Sequence, residues 1–238
     1  MNNFIYLIPL HNKSRVIEQT VNLLKRKFYN SDISGQFIFI ENGSTDDSLK
    51  KILSLTKDDP RFTVLSSEKG FGEALKIGMK FVDNNIQKKN TMVVITGADL
   101  PFQFTDIDNY LNEYHIYNSD IYIGSKSHKL SNIKRSFSRR FISKIFNILL
   151  RLLFGVKLMD TQGTFLINAS KVEISKIIPD SKNFFSTAEI CIRSVNLGHT
   201  ITEIPITHID TPTDTSTVKI FSDTVKIIKD MILLKKQF

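Results

Sequence analysis

The sequence predicts an α/β fold in which a mostly parallel central sheet is flanked by helices. Short apolar segments, typical of buried strands, alternate with segments of helical periodicity. Three of the apolar segments end in polar turns, as strands do at the carboxyl edge of such a sheet. The hydrophobic fraction of 41% over 238 residues is sufficient for a core of this size.

In the first half of the chain, strands and helices follow one another in a regular order. The pattern predicts strands at 4–10, 36–41, 62–65 and 91–96, helices at 16–28 and 70–82, and a further helix after the turn at 42–46. If the strands are parallel, residues 9–12, 41–46 and 97–99 converge on one crevice. Each of these segments is also compatible with an ordinary turn.

The second half of the chain contains fewer strands and longer helices. The pattern predicts strands at 120–125, 163–168 and 200–206 and helices at 134–154, 186–196 and 218–236. The first and last of these helices are apolar on one face and basic on the other, so both are compatible with the headgroup region of a membrane. The alternative is that they pack on the core and expose their basic faces to solvent.

The net charge of +8 is concentrated in one segment. Residues 129–159 contain no Asp or Glu and eight basic residues: Lys129, Lys134, Arg135, Arg139, Arg140, Lys144, Arg151 and Lys157. This concentration indicates an anionic partner such as phosphate, anionic lipid or nucleic acid. Because the segment lacks the aromatic-basic signature of the common RNA-binding modules, we expect no nucleic-acid partner.

Cysteine usage and hydropathy indicate the compartment. Cys191 is the single cysteine of the sequence, which excludes a disulfide framework and favours a reducing environment. The apolar start of the chain contains Pro9 and lacks a basic leader, so we interpret it as a buried strand. The longest apolar segment of the second half is interrupted by Arg151, which disfavours a membrane span. We expect a cytoplasmic protein, peripheral on the inner face of a membrane.

Six segments, in order along most of the chain, resemble the motifs of one enzyme family. Residues 8–12 (IPLHN) are similar to its V-P-x-Y-N, 41–46 (ENGSTD) to D-D-G-S-x-D, 69–74 (KGFGEA) to G-K-G-x-A, 97–100 (GADL) to D-A-D-L, 124–126 (GSK) to G-S-R, and 160–165 (DTQGTF) to D-T-Q-x-G-F. The family is that of the inverting GT-A family 2 glycosyltransferases, of the dolichyl- or polyprenyl-phosphate mannose synthase or glucosyltransferase type.

This resemblance implies a GT-A domain over 1–217, followed by an amphipathic helix at 218–238. Residues 1–100 would form a nucleotide-binding half and residues 101–217 an acceptor half. The implied reaction transfers a hexose from a UDP- or GDP-sugar to a polyprenyl phosphate at a membrane surface, with inversion. The implied cofactor is Mg²⁺ or Mn²⁺.

The resemblance also implies roles for individual residues. Donor contacts would come from Pro9, His11, Asn12, Glu41, Gly43, Ser44, Lys69, Ala98 and Asp99. The acceptor phosphate would be held by Lys126, Arg135, Arg139 and Ser143. Asp99 would reach the metal, and Asp99, Asp160 and Glu189 are the candidate catalytic residues.

The sequence departs from the family pattern where a metal would bind. Gly97 replaces the first Asp of D-A-D, and Lys13 stands where the family usually has Glu. A single carboxylate holds Mg²⁺ less firmly than two. Two alternatives therefore stay open. One is a transferase that acts on a sugar hydroxyl, with Glu189 or Asp160 as general base. The other is a catalytically impaired homologue that binds nucleotide-sugars and docks on a membrane or on a partner membrane protein.

Overall fold

The computed structural model of the protein describes residues 3–29, 31–133, 137–207, 227 and 230–236, with the backbone alone at 137–139. The strands are β1 Asn3–Leu10, β2 Ser34–Glu41, β3 Phe62–Ser66, β4 Thr91–Ile95, β5 Ile121–Gly124, β6 Thr164–Asn168 and β7 Ile201–Ile204. The helices are α1 Ile17–Tyr29, α2 Ser48–Thr56, α3 Phe71–Asn85, α4 Thr105–Asn112, α5 Phe137–Phe154, α6 Ile174–Ile177 and α7 Phe185–Asn196, and Tyr114–Tyr117 form a 3₁₀ turn.

The described strands form one seven-stranded sheet in the order β3-β2-β1-β4-β6-β5-β7. Every pairing that excludes β6 is parallel, and β6 runs antiparallel to β4 and β5. The predicted α/β fold with a mostly parallel sheet is therefore confirmed. In this register Leu10 lies beside Glu41, and Glu41 lies beside Ser66, so the predicted polar turns after β1 and β2 share one edge of the sheet.

The core lies on both faces of the sheet because the side chains of β1 alternate between them. Ile5 and Leu7 pack in a cluster with α3, α6 and α7. Phe4, Tyr6 and Ile8 pack in a second cluster, rich in aromatic rings, with α1 and α4. Burial of both faces explains why the strands are almost uniformly apolar.

Three short helical elements were missed in the sequence. They are α4, α6 and the 3₁₀ turn at Tyr114–Tyr117. The turn before α4 requires a left-handed backbone conformation at Leu100, Gln103 and Phe104. Non-glycine residues adopt this conformation rarely, and no pattern in the sequence indicated it. The prediction of a helix over 218–238 lies mostly outside the described residues, although residues 230–235 are helical. Met231 and Leu234 are buried in the cluster that contains Ile5, Leu7 and residues of α3.

Candidate functional site

Asn42 connects three loops at the carboxyl edge of the sheet. Its backbone N–H donates to the carbonyl of Leu10 at 2.9 Å, and its carbonyl oxygen lies 2.8 Å from Nδ1 of His11. Its side-chain oxygen accepts a hydrogen bond from the N–H of Gly70 at 2.6 Å. Asn42 is buried, so these bonds hold the ends of β1 and β2 and the start of α3 in one arrangement.

The turn after β2 is fixed by side chains from its own strand and from the end of β1. The N–H of Ser44 donates to Oε1 of Glu41 at 2.5 Å. The Ser44 hydroxyl accepts from the N–H of Asn12 at 3.1 Å, and Oδ1 of Asn12 accepts from the N–H of Thr45 at 2.8 Å. Gly43 has a φ of 64°, and a Cβ there would lie 3.3 Å from Cβ of Lys69. The turn therefore lies directly against Lys69.

Asp46 anchors the start of α2. Its carboxylate accepts from the N–H of Ser48 at 3.0 Å, the hydroxyl of Ser48 at 2.5 Å and the N–H of Ser14 at 3.1 Å. Burial by itself would raise the pKa of Asp46, but these hydrogen bonds stabilise the charged form more strongly and lower the pKa to about 2. The hydroxyl of Ser48 also accepts from the N–H of Lys13 at 2.7 Å, so Asp46 indirectly positions Lys13.

Asp99 forms an ion pair with Lys13. Nζ of Lys13 lies 2.7 Å from Oδ2 of Asp99, and both side chains are 28% exposed. The carbonyl oxygen of the preceding residue, Ala98, accepts a hydrogen bond from the hydroxyl of Thr20 at 2.6 Å. Two contacts with the start of the chain thus hold the loop after β4, and the carboxylate of Asp99 faces an ammonium group.

Asp99 is the single carboxylate that the loop between β4 and α4 offers to a divalent cation. Position 97 lacks a side chain, and a Cβ there would lie 2.7 Å from Oδ1 of Asp99. In the part of the chain that the structure describes, no three His, Cys, Asp or Glu side chains converge as metal ligands. Among the described residues, a divalent cation here would be held by Asp99 together with oxygens of a bound ligand or water.

Glu189 is buried and holds a loop beside the start of α3. Its carboxylate accepts from the N–H groups of Asp180 and Ser181 at 2.9 and 3.0 Å and pairs with Arg193 at 2.7 Å. Burial opposes ionisation, but the hydrogen bonds from Ser181, Asp180 and Arg193 outweigh it and lower the pKa of Glu189. A Cβ at Gly72 would lie 1.8 Å from the Ser181 carbonyl oxygen, so this loop packs tightly on α3.

Asp160 and Lys126 form a second pair, at the end of β5. Oδ2 of Asp160 accepts from the N–H of Lys126 at 2.9 Å and lies 3.3 Å from its Nζ. Oδ1 accepts from the N–H of Gln162 at 2.9 Å. The Asp160 N–H donates to Oε1 of Glu203 at 2.9 Å. Asp160 is buried, so its contacts within the chain position Lys126 and the loop before β6.

An open cavity of about 540 Å³ lies between this pair and α5. Its charged lining residues are all basic: Lys126, Arg140, Lys144 and Arg151. Ser143 and Asn147 also line it, and Ile148 and Met159 contribute apolar surface. Nζ of Lys126 lies 6.0 Å from the ring of Phe102, which follows the Asp99 loop, so the cavity borders the edge described above.

The structure brings the predicted donor residues together at one edge of the sheet: Pro9, His11, Asn12, Glu41, Gly43, Ser44, Lys69, Ala98 and Asp99. Of the predicted acceptor residues, Lys126 and Ser143 line the cavity. Arg135 and the side chain of Arg139 lie outside the described residues.

The sequence analysis assigned no role to Asn42, Lys13 or Glu203. Asn42 could have been noticed because it stands inside the turn motif that follows β2. Lys13 was noticed only as a departure from the family pattern. Glu203 gives no local signal, because its contact with Asp160 joins residues 43 positions apart.

A curated protein is similar in sequence to this chain. The chain is 24% identical over 187 residues to CsbB of Bacillus subtilis, which bears a glycosyltransferase name, and the match covers 78% of this chain and 54% of CsbB. The chain thus spans about half the length of this curated relative.

Solved structures share the fold. Glucosyl-3-phosphoglycerate synthase from Mycobacterium tuberculosis with UDP matches with a TM-score of 0.67 and 13% identity over 99% of this chain and 80% of that one. The same enzyme with Mn²⁺, UDP and glucosyl-3-phosphoglycerate matches with a TM-score of 0.66 and 15% identity over 98% and 79%.

The model of the family described as "Glycosyl transferase family 2" matches residues 6–173. This range includes the edge of the sheet that Asn42 organises and the Lys126–Asp160 pair, and it covers more than half of the sequence. The chain therefore belongs to glycosyl transferase family 2 and has the GT-A fold.

Proposed function

We propose that the protein transfers a hexose from a UDP- or GDP-sugar to a polyprenyl phosphate at a membrane surface, with inversion. The observation that carries this proposal is the basic cavity beside an exposed apolar helix. The cavity offers cations to a phosphate, and α5 offers apolar side chains to the lipid. A lipid phosphate combines these two chemical properties in one molecule.

A phosphate monoester needs little activation as a nucleophile. Its second pKa is about 6, so it is largely ionised at neutral pH. One of its oxygens would attack the anomeric carbon and form the new C–O bond, while the bond to the nucleoside diphosphate breaks and that group leaves with the electron pair. Lys144, Arg151 and Lys126 would position the acceptor and reduce repulsion between the two anions.

The donor would occupy the edge that Asn42 organises. Pro9, His11 and Glu41 would line the base and ribose, and Lys69 would approach the diphosphate, as the family resemblance implies. The Mg²⁺ or Mn²⁺ predicted at Asp99 stays a prediction. Solved structures with this fold contain these ions together with UDP, whereas Asp99 of this chain contacts Lys13.

We further propose that Asp160 and Glu189 are positioning residues. The Asp160 carboxylate accepts hydrogen bonds from the N–H groups of Lys126 and Gln162 and forms an ion pair with the Lys126 side chain. The Glu189 carboxylate accepts four hydrogen bonds from its own chain. A general base needs a lone pair directed at the substrate proton, and an ionised phosphate acceptor has no proton to remove. The contacts of both residues support loop positioning instead.

The membrane part of the proposal rests on α5 and the adjoining C-terminal segment. Exposed apolar residues on these helices are Phe141, Ile142, Ile145, Ile148, Leu149, Leu152, Leu153, Ile232 and Leu233. An apolar patch flanked by basic side chains is typical of a helix that lies in the headgroup region. No helix in the described ranges is long and apolar enough to cross a bilayer. We propose a peripheral position on the cytoplasmic face; a partner membrane protein stays a prediction.

A donor and acceptor panel tests this function. We would measure nucleoside diphosphate release from UDP- and GDP-sugars with three acceptors: a short-chain polyprenyl phosphate, 3-phosphoglycerate and a free sugar. We expect release that requires the lipid phosphate and that falls about tenfold or more in Lys144→Ala and Arg151→Ala, because each loses a charged contact to phosphate. Lys80→Ala, an exposed change on α3, is the matched control.

The three acceptors of this panel distinguish the alternative functions. Crystal complexes of the Mycobacterium tuberculosis enzyme contain phosphoglyceric acid, so release with 3-phosphoglycerate alone would redirect the proposal to a water-soluble phosphate monoester. Release with the free sugar alone would identify a hydroxyl acceptor. Nucleotide binding without release in any arm would identify a catalytically impaired homologue.

A further inference from the structure

The ammonium group of Lys13 has a fixed position at the donor edge. Its backbone N–H donates to Ser48 Oγ at 2.7 Å, and its carbonyl accepts from the N–H groups of Val16 and Ile17, both at 3.0 Å. Its side chain ends on Asp99 at 2.7 Å. The main chain and the side chain are thus both held, and little conformational freedom is lost when a ligand contacts the ammonium.

This ammonium retains the capacity to bind an anion. A lysine ammonium has three N–H donors, and one of them is directed at Asp99. The pair is neither deeply buried nor fully solvated, since both side chains are 28% exposed. A phosphate oxygen can therefore approach Nζ while Asp99 keeps it oriented, in a region where solvent screens charge less than at an open surface.

A nucleoside diphosphate requires positive charge at this edge. Among solved structures with the same fold, UDP is accompanied by Mg²⁺ or Mn²⁺ in some complexes and is named without a metal ion in another. In this chain the carboxylate of Asp99 already has a cation as its partner, and position 97 has no second carboxylate to offer. In the described residues, the loop after β4 thus offers one carboxylate, and that carboxylate is already paired with an ammonium.

We propose that Lys13 supplies the positive charge of the donor site and binds the diphosphate of the nucleotide. Asp99 is the residue that positions Lys13. The nucleotide then binds without a divalent metal ion. This inference rests on the proposed nucleotide-sugar donor.

Calorimetric binding of UDP and of GDP to the full chain tests the inference, with excess EDTA in one series and Mn²⁺ in the other. We expect one of the two nucleotides to bind the wild-type protein with the same affinity in both series. Lys13→Ala should lower that affinity about ten- to hundredfold in EDTA, the effect of losing a charged hydrogen bond. Lys13→Arg should retain most of it, because a guanidinium also binds phosphate.

The matched control is Lys27→Ala. Lys27 pairs with Asp108 at 2.5 Å with 26% exposure, so this change breaks a comparable ion pair near the opposite end of α1 and should leave nucleotide affinity unchanged. Thermal unfolding verifies that each variant is folded.

A double variant tests the same inference from the opposite direction. Lys13→Glu with Gly97→Asp places two further carboxylates near Asp99, so we expect it to bind nucleotide only in the Mn²⁺ series. Wild-type binding that requires Mn²⁺, or an unchanged affinity in Lys13→Ala, would overturn the inference and leave the donor proposal intact. A wild-type protein that binds neither nucleotide in either series would overturn both.

Discussion

The side-chain oxygen of Asn42 accepts a hydrogen bond of 2.6 Å from the backbone N–H of Gly70. Gly70 has a φ of 149° and immediately precedes α3, so its N–H is one of the donors that a helix start leaves unpaired. The side chain of Asn42 thus provides an acceptor for one N–H group at the start of α3 and joins this helix to the end of β2. The geometry of the donor edge depends on this contact.

Replacing Asn42 with Ala should destabilise the protein and weaken nucleotide binding together. The change leaves the N–H of Gly70 without its acceptor, and we expect a loss of about 1–3 kcal/mol in the free energy of unfolding. Urea unfolding and nucleotide titration measure the two effects. Asn85→Ala removes an exposed hydrogen bond to the carbonyl of Phe81 and should cost less than about 0.5 kcal/mol. Equal losses in the two variants would contradict the role of Asn42.

The low pKa of Asp46 predicts a pH-dependent contribution to stability. The folded-state pKa of about 2 lies below the ordinary value for an aspartate, so the charged form stabilises the fold. The wild type should have a higher free energy of unfolding than Asp46→Asn. This difference should be complete above about pH 4 and should disappear as the pH falls through about 2. Because the side chain is exposed, we expect a plateau of about 1 kcal/mol.

Unfolding measured from pH 7 to pH 2 tests this difference. Asp47→Asn is the control, since Asp47 makes no side-chain capping hydrogen bond to α2. A benefit of Asp46 that stays constant over the whole pH range would contradict the assignment of the low pKa to this carboxylate.

Glu189→Gln should affect stability and leave the pH dependence of catalysis unchanged. Glu189 is 1% exposed and pairs with Arg193. The neutral variant removes one of the two carboxylates that contact this guanidinium, Asp180 being the other, at a cost of about 1–3 kcal/mol. If Glu189 positions a loop, the acidic limb of the rate profile still follows the acceptor phosphate at about pH 6. Loss of that limb would identify Glu189 as a base. Glu173→Gln, in an exposed pair with Lys176, is the control.

Leu152→Asp should weaken binding to anionic vesicles without destabilising the fold. Leu152 is 75% exposed on α5, and burial of a leucine in lipid changes the partition coefficient about tenfold or more. Vesicle co-sedimentation measures the effect. Leu53→Asp alters a leucine on α2 that is 49% exposed and should leave binding unchanged. If both variants bind as the wild type does, α5 is not the membrane surface.

Much of the fold could be predicted because its signals are local. The strands β1, β2 and β4 are buried on both faces and appear in the sequence as continuous apolar segments. Their turns follow directly along the chain, so the clustering of His11, Glu41 and Gly43 at one edge required only the parallel order of the strands. The helix α4 was not predicted because it follows a turn built from left-handed non-glycine residues.

Hydrophobic periodicity and turn residues act over a few neighbouring positions. The α/β class, the order of most elements and the edge of the sheet at which polar turns meet could therefore be predicted from the sequence. The contacts between side chains that are distant in the sequence could not. Lys13 and Asp99 form an ion pair although they are 86 positions apart. Glu203 accepts a hydrogen bond from the backbone N–H of Asp160, 43 positions away. Such contacts depend on the register of the sheet and on the path of each loop, which the packing of the whole core determines.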